Sequence, residues 1–241
     1  MSATPGLRPL TARSAVLSTL LGAHPPQLPA RSLVKVGELF GVAEGTIRVA
    51  LSRMVAAGDL VQRNGDYALT SRLIQRQARQ DAGRAPAVRP WSGEWEIAVV
   101  TADRRPPAER SSFRSAMAEL RLAELREGTW LRPANLVRPL RVDCVVLLGR
   151  PVDDPAELAA SLWDLPGWSA RARLLLETLD DADALPDRFM LAAAVLRHFV
   201  ADPLLPPELL PSQWPGAELR ARYEEFDKAF QSVLRAHLGI E

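Results

Sequence analysis

Apolar residues between Glu44 and Ala57 recur with the spacing of one face of a helix. They stand at positions i, i+3, i+4, i+7 and i+8, and they are Ile47, Ala50, Leu51, Met54 and Val55. The opposite face carries arginine among smaller residues, and its members are Gly45, Arg48, Val49, Ser52 and Arg53. Gly58 follows, and glycine commonly ends a helix. The pattern therefore predicts an amphipathic helix with one buried face and one face free for another task.

Two further helices are predicted before this one. The first spans Arg13 to Leu21, and the second begins at Pro29 and ends near Phe40, where a glycine stops it. The third helix has Ala43 at the position where Ser or Asp usually caps a helix, so its start is weakly capped. Three helices joined by short turns that contain glycine predict a helix-turn-helix unit.

A hairpin is predicted directly after the third helix. Two short segments, 60–63 and 66–69, flank the dipeptide Asn64-Gly65. Asn-Gly supplies the two residues of positive φ that a two-residue hairpin turn requires. A hairpin at this place is the wing of a winged helix, which contacts phosphates while the third helix enters the major groove.

The charge of the chain is divided unevenly between its two parts. Residues 1–90 contain twelve Arg and Lys and five Asp and Glu, which gives a net charge of +7. Because the whole chain has a net charge of +1, the remaining residues carry −6. A basic N-terminal part on an acidic body indicates that only the N-terminal part binds a polyanion.

The pattern changes from Trp91 onward. Three segments predict strands and two predict helices, in the order β-α-β-β-α, which is typical of a ferredoxin-like sandwich. The strands are expected at 96–101, 128–131 and 142–148, and the helices at 109–125 and after Asp154-Pro155. From about Gly167 the chain is predicted to be helical, with a proline-rich connector over 202–216 and a last helix over 217–238. The predicted α+β multidomain organisation is a winged helix-turn-helix domain (1–76), a linker (77–90), a central ferredoxin-like domain (91–166) and a helical C-terminal domain (167–241).

Composition narrows the classes of function. The single cysteine, Cys144, excludes an intrachain disulfide and favours a reducing compartment. The three histidines have no spacing typical of metal ligands, and no apolar run approaches the ~20 residues that span a bilayer. We expect a cytoplasmic protein with no membrane segment, no metal, no cofactor and no catalytic group. The six tryptophans, at 91, 95, 130, 163, 168 and 214, are predicted to pack in cores and domain interfaces.

Three stretches are similar to one protein family. GVAEGTIRVALSRMVAAGDL resembles the DNA-binding segment of PaaX-type transcriptional regulators, the phenylacetic acid catabolism repressor family. WSGEWEIAVVTADRR and DPLLPPELLPSQWPGAELRARYEEF resemble later segments of that family, in the same order. The resemblance implies a winged-helix head, a central domain similar to Cas2-type folds, and a helical C-terminal domain.

The resemblance also implies a function. Members are dimeric transcription factors, typically repressors, and the founding type releases its double-stranded DNA operator on binding phenylacetyl-CoA. We therefore expect a homodimer, with phenylacetyl-CoA or another acyl-CoA as the effector. The expected DNA contacts are Gly45, Thr46, Arg48, Val49, Ser52, Arg53, Arg63 and Asn64.

The phosphates of an acyl-CoA require an arginine cluster. Such a cluster is predicted in the loop between two central strands, and the complete set of expected effector contacts is Arg132, Arg138, Arg141, Arg197 and Trp214. Surface salt bridges and ordinary packing are the alternative roles of these residues. The acyl part is expected between the central and C-terminal domains. Family members commonly carry a histidine with an acidic neighbour where this chain has Ala192, Ala193 and Ala194.

Two other functions stay open at the level of sequence. Cas2-like folds include metal-dependent nucleases with an aspartate after the first strand, and Asp103 stands at about that place. The simpler interpretation of Asp103 is an exposed loop residue. The third possibility is a DNA-binding protein whose binding is not regulated by any ligand.

Overall fold

The computed structural model describes residues 10–101, 106–140, 143–181 and 184–238. Contacts among them divide the chain into two compact units. The first unit contains the described residues up to Arg84, those of 172–200 and those from Pro215 onward; the second contains those of 85–171 and 201–214. The C-terminal segment that was predicted as one helical domain is thus shared between the two units. The chain is α+β, as predicted.

The described residues form nine helices, seven strands and a 3-10 turn. The helices are α1 (Ala12–Gly22), α2 (Ala30–Leu39), α3 (Glu44–Ala56), α4 (Ser71–Arg84), α5 (Pro107–Glu119), α6 (Pro155–Leu162), α7 (Leu165–Asp181), α8 (Leu185–Val200) and α9 (Gly216–Leu238). The strands are β1 (Gln27–Pro29), β2 (Leu60–Arg63), β3 (Asp66–Leu69), β4 (Trp95–Val99), β5 (Ala123–Arg126), β6 (Thr129–Pro133) and β7 (Val145–Gly149), and the 3-10 turn is Pro207–Leu209.

The apolar stripe of α3 is buried in the core of the first unit. Ile47, Leu51 and Met54 are each at most 1% exposed. They share a core with residues of α1, α2, the hairpin and α4, which are Val16, Leu17, Leu20, Leu21, Leu33, Val34, Leu60, Leu69 and Leu73. This burial is the main stabilising contribution to a 13-residue helix whose N-cap, Ala43, makes no side-chain hydrogen bond.

Helices α2 and α3 approach each other closely at Gly37. A β-carbon at this position would lie 2.5 Å from Cγ1 and 2.8 Å from Cδ1 of Ile47. Such distances are well inside van der Waals contact, so the absence of a side chain at Gly37 sets the spacing between the two helices.

The hairpin has the predicted turn. Asn64 and Gly65 have φ values of 51° and 86°, and β2 pairs with β3 so that Arg63 lies opposite Asp66. Strand β1, which the sequence did not predict, adds to the other edge of β3 and completes an antiparallel sheet in the order β1-β3-β2. A strand of three residues has no alternating pattern of its own, and it exists only because β3 offers a partner.

The predicted linker over 77–90 begins inside helix α4. The Ala, Gly, Pro and Arg content of the segment suggested a linker, but two of its glutamines are buried. The side-chain amide of Gln77 donates hydrogen bonds of 2.9 Å to the carbonyl oxygens of both Leu21 and Ala23 at the end of α1. Gly83 packs against the backbone of Phe199 in α8. Tertiary contacts, rather than an apolar stripe, hold this helix.

The second unit is built on a four-stranded sheet in the order β5-β6-β4-β7, in which all neighbours are antiparallel. Helix α5 connects β4 to β5, and β6 lies between those two strands. The central strand β4 is buried on both faces, because Trp95 and Ile97 belong to one core while Ala98 and Val100 belong to another. All six tryptophans of the chain lie in this second unit.

Two predictions for this sheet were wrong. The helix expected over 109–125 ends at Glu119, and residues 123–126 form strand β5 instead, after Arg121 reverses the chain at a φ of 63°. The strand expected to be buried over 142–148 is the edge strand β7, and all four apolar residues from Val145 to Leu148 are exposed. An apolar run shows that a strand forms but does not show whether anything covers it.

The Gly37–Ile47 contact predicts that Gly37→Ala destabilises the protein by about 1–3 kcal/mol, because the added methyl group forces α3 away from α2. Chemical denaturation followed by circular dichroism measures the change. Gly45→Ala is the matched control, since a β-carbon there meets nothing within 4 Å. Equal stabilities of the two variants would contradict the close approach.

Candidate nucleic-acid interface

The eight residues predicted to contact DNA are all exposed in the structure. Six of them lie on the outer face of α3 and two at the tip of the hairpin β2–β3: Gly45, Thr46, Arg48, Val49, Ser52, Arg53, Arg63 and Asn64. The side chains that hold α3 in place and those free to contact a ligand therefore lie on opposite faces of the helix.

Arg48 is oriented by its own helix. Its Nε and Nη2 atoms both lie 2.7 Å from Oε1 of Glu44, one turn earlier, while its side chain stays 60% exposed. An exposed pair of this spacing contributes about 0.3–0.5 kcal/mol. That is little enough for the guanidinium to exchange the carboxylate for a stronger bidentate acceptor.

Val49 is an apolar residue on an otherwise hydrophilic face. It is 51% exposed, next to Arg48. An exposed valine gains nothing from water, but on a helix in the major groove it can contact the methyl group of thymine. A guanidinium and an apolar side chain side by side can therefore distinguish between base pairs.

A cleft of about 410 Å³ lies between the start of α1 and the outer part of α3. Two hydroxyl groups and two guanidinium groups line it, from Thr11, Thr46, Arg13 and Arg53. Hydroxyl and guanidinium groups are the usual partners of phosphate oxygens in DNA complexes. The cleft thus adjoins the exposed face of α3, and the rest of its lining is apolar: Ala12, Val49, Ala50, Met54 and Ala57.

A buried carboxylate fixes the arginines beside this cleft. Asp59, which is 3% exposed, accepts hydrogen bonds from Arg13 at 2.6 Å and from Arg72 at 2.5 Å. It lies three residues after the end of α3, so it ties the start of α1 and the start of α4 to the end of that helix. Sequence reasoning missed this role, because an aspartate after a helix-ending glycine looks like an ordinary turn residue.

The arginines proposed for an acyl-CoA are not free in the structure. Arg132 lies in β6 and is 0% exposed, and its guanidinium donates to Asn135 Oδ1 at 2.7 Å and to the carbonyl oxygen of Pro133 at 2.9 Å. Burial, together with the nearby charge of Arg138, lowers the pKa of Arg132 to about 9, which leaves it charged at neutral pH. Arg132 is held by groups of the second unit, and its predicted role as a phosphate clamp stays a prediction.

Arg138 is also engaged internally. Its Nη2 atom donates to Glu96 Oε2 at 2.8 Å and to the carbonyl oxygen of Leu120 at 2.9 Å. The same carboxylate lies 3.9 Å from Nε of Arg132, so one glutamate balances two guanidinium groups. Arg141, the third member of the predicted cluster, lies outside the described residues.

The other two predicted effector contacts lie in different units. Trp214 belongs to the second unit, where it stacks on Trp168 with ring centres 4.4 Å apart. Arg197 belongs to α8 in the first unit and lines a cavity there. The structure therefore assigns Trp214 to packing.

Two family models match the chain. One is that of PaaX-like protein, over residues 11–73, and the other is that of the PaaX-like protein C-terminal domain, over residues 167–239. This chain belongs to the PaaX-like family. Membership of this family indicates a regulator of transcription rather than an enzyme.

One solved structure similar to this PaaX-like chain is the uncharacterized protein Rv0674 from Mycobacterium tuberculosis. The two are 45% identical, and the similarity covers 95% of this chain and 99% of that one, with a TM-score of 0.80. The shared fold therefore includes the central segment that the two family models leave unmatched. None of the curated proteins matches the chain.

The structure adds no support to nuclease chemistry in this PaaX-like chain. Asp103, the candidate metal ligand, lies outside the described residues. Within the ranges that the structure describes, no group of three or more His, Cys, Asp and Glu side chains could hold a metal ion. A search of the same ranges for membrane spans finds no helix with the length and apolar character to cross a bilayer.

The internal pairing of Arg132 and Arg138 predicts that Glu96→Gln destabilises the protein by about 3–5 kcal/mol, because a buried and a half-buried guanidinium group lose their shared counter-charge. Thermal and chemical unfolding measure the loss. Glu124→Gln is the matched control, since Glu124 pairs at 3.1 Å with a largely exposed Arg114, and such pairs contribute about 0–1 kcal/mol. If both variants unfold like the unmodified protein, Arg132 and Arg138 are not structural.

Proposed function

We propose that this PaaX-like chain is a winged helix-turn-helix repressor. It binds an operator in double-stranded DNA as a homodimer in the cytoplasm, and it leaves the operator when an acyl-CoA such as phenylacetyl-CoA binds. The observation that carries the proposal is the exposed face of α3, which places Arg48, Val49 and Arg53 beside the hairpin with Arg63 and Asn64 at its tip.

The order of elements in the first unit supports the winged-helix assignment. Helix α1, strand β1, helices α2 and α3, and the hairpin β2–β3 follow one another, and the strands form the sheet β1-β3-β2. In this arrangement the third helix is the recognition helix, and its N-terminal residues contact base edges. Thr46, Arg48 and Val49 occupy those positions here.

The hairpin then acts as the wing. Arg63 lies opposite Asp66 in the register of the two strands. Its side chain is exposed, and it directly precedes the turn at the end of the hairpin. A cation at the tip of a wing contacts phosphates, which positions the protein without reading sequence. Binding of this kind depends on the net charge of +7 in residues 1–90.

The sheet of the second unit supports a homodimer. Its strand order, β5-β6-β4-β7, is the order of a ferredoxin-like sheet, which the family resemblance relates to Cas2-type folds. Its edge strand β7 exposes Val145, Val146, Leu147 and Leu148, by 36–59%. A long apolar edge strand is an aggregation hazard unless a partner covers it, and a second copy of the chain supplies the same strand.

The symmetry of the homodimer determines the symmetry and spacing of the operator. Two heads related by a two-fold axis require an inverted repeat, with half-sites about 10 bp apart or a multiple of that. Release by an acyl-CoA requires that the effector bind the DNA-free arrangement more tightly than the DNA-bound one.

Arg48→Ala is expected to cost about 1–3 kcal/mol of binding to a site selected from random DNA, and to relax specificity at one base pair. Quantitative gel shifts on the selected site and on its single-base variants measure both effects. A loss that is equal on selected and random DNA would make Arg48 a phosphate contact only.

Arg63→Ala serves as the matched wing variant in the same experiment. It should weaken binding to selected and to random DNA equally. It should also reduce the slope of the logarithm of the binding constant against the logarithm of the salt concentration by about 0.9. An unchanged slope would remove the wing from the proposed interface.

Leu148→Glu is expected to convert the homodimer into a monomer, because it places a carboxylate on the covered edge strand. Sedimentation velocity reads the mass. Val137→Glu is the control, since Val137 is equally exposed, at 59%, and lies outside β7. If the unmodified protein is a monomer, or if Leu148→Glu leaves a dimer intact, β7 is not the interface.

A further inference from the structure

The first unit contains a cavity of about 70 Å³, and Arg197 alone of the expected effector contacts lines it among the described residues. Helices α1, α4, α8 and α9 all contribute side chains to its wall. It therefore lies between the helices of the DNA-binding head and the two helices that join the head from the C-terminal part of the chain.

One side of the cavity is apolar. The rings of Phe189, Phe226 and Phe230 line it, with centres 5.0 Å apart for Phe189–Phe230 and 5.8 Å apart for Phe226–Phe230. Ala192 and Ala193 leave room beside the rings. This side suits a small hydrocarbon group.

Helix α4 adds to the wall a buried acceptor that lacks a donor. Gln80 is 6% exposed and lines the cavity, and its Oε1 atom accepts no hydrogen bond from any described residue. Leaving a buried acceptor unsatisfied is costly, because the group has lost its hydrogen bonds to water. A hydroxyl group of a bound molecule would supply the missing donor.

Arg76 supplies positive charge to the same wall. It is half-buried, and within the described part of the chain no carboxylate pairs with its guanidinium. Burial, and then the charges of Arg13, Arg79 and Arg72, lower its pKa, so the surrounding potential is positive. The acidic residue of the wall, Asp227, is already held by Arg84 at 3.0 Å. An anion is the group that this wall lacks.

The volume limits the size of the ligand. Pockets for drug-sized molecules measure about 300–1,000 Å³, and one water occupies about 30 Å³ of liquid volume. A cavity of about 70 Å³ therefore holds a body of a few carbon atoms and excludes a nucleotide.

We propose that this cavity binds a small organic acid, with its short apolar body against the phenylalanine rings, its carboxylate on Arg76 and an α-hydroxyl group donating to Gln80 Oε1. The free acid is thus a second ligand, distinct from the acyl-CoA, of the regulator described under the proposed function, on which this inference rests.

The cavity is connected to the reading helix. Phe40, the C-cap of α2 just before α3, packs against Phe189 with tilted rings whose centres are 4.7 Å apart, and its ring centre lies 6.3 Å from that of Phe230. Helix α1, which forms another wall, shares its core with α3. Filling the cavity changes the support of α3 from both sides, so occupancy changes the affinity for DNA.

The test titrates the full chain with 2-hydroxyisobutyrate, isobutyrate, phenylacetate and phenylacetyl-CoA by calorimetry. The hydroxy acid should bind about 2–10 times more tightly than isobutyrate, since one hydrogen bond contributes about 0.5–1.5 kcal/mol. Phenylacetate should bind more weakly than either, because its ring exceeds the space. Binding of the thioester alone, or of none of the acids, would overturn the proposal.

Variants locate the site. Arg76→Gln should weaken binding of the hydroxy acid by about 10–100-fold, because the carboxylate loses a charged hydrogen-bond partner. Ala193→Leu, which fills the cavity, should abolish binding while thermal unfolding shows that the protein is folded. Arg114→Gln, at an exposed arginine of the second unit, and Ala160→Leu, at an exposed position of α6, are the matched controls. Unchanged binding in both cavity variants would place the ligand elsewhere.

Gel shifts with and without the hydroxy acid separate the two proposals. Absence of DNA binding by the unmodified protein would defeat the proposed repressor, while the calorimetry would still locate the acid. DNA binding that the acid changes in the unmodified protein, but not in Ala193→Leu, supports both. DNA binding that no bound acid alters would defeat the regulatory role of the cavity alone.

Discussion

Burial of Ile47, Leu51 and Met54 is the constraint on which the first unit depends. These three side chains hold α3 against α1 and α2, and no capping side chain assists them at the start of the helix. Because the helix is anchored entirely from one side, its other side is free to carry Arg48 and Val49 without any structural duty. The missing side chain at Gly37 allows α2 to come close enough for that anchoring.

Much of the head follows from local sequence patterns, and the remainder does not. The stripe in α3 and the Asn64-Gly65 turn depend on residues near one another in the chain, so periodicity and turn chemistry predicted both. Strand β1 and helix α4 depend on distant partners: β1 needs the edge of β3, and α4 needs carbonyl oxygens of α1 for Gln77. A pattern of single residues contains no signal for such partners.

The site residues divide in the same way. Exposure of the α3 face was predictable, since an amphipathic helix with one buried face must expose the other. The burial of Arg132 was not predictable from the sequence. A segment of arginines and prolines gives no indication that Glu96, Asn135 and the backbone will surround a guanidinium group. Charged residues are rarely buried without partners, and those partners lie elsewhere in the sequence.

The discontinuous composition of the first unit has a consequence for protein synthesis. Domains form as their segments leave the ribosome, with N-terminal parts first. The core around α3 uses only residues up to Leu73, so it can assemble early. Helices α8 and α9 contact α4 and the end of α2. Helix α8 follows only after residues 85–171 of the second unit have been translated, and α9 only after residues 201–214 as well. A nascent chain can therefore form the core around α3 before the elements that complete its support exist.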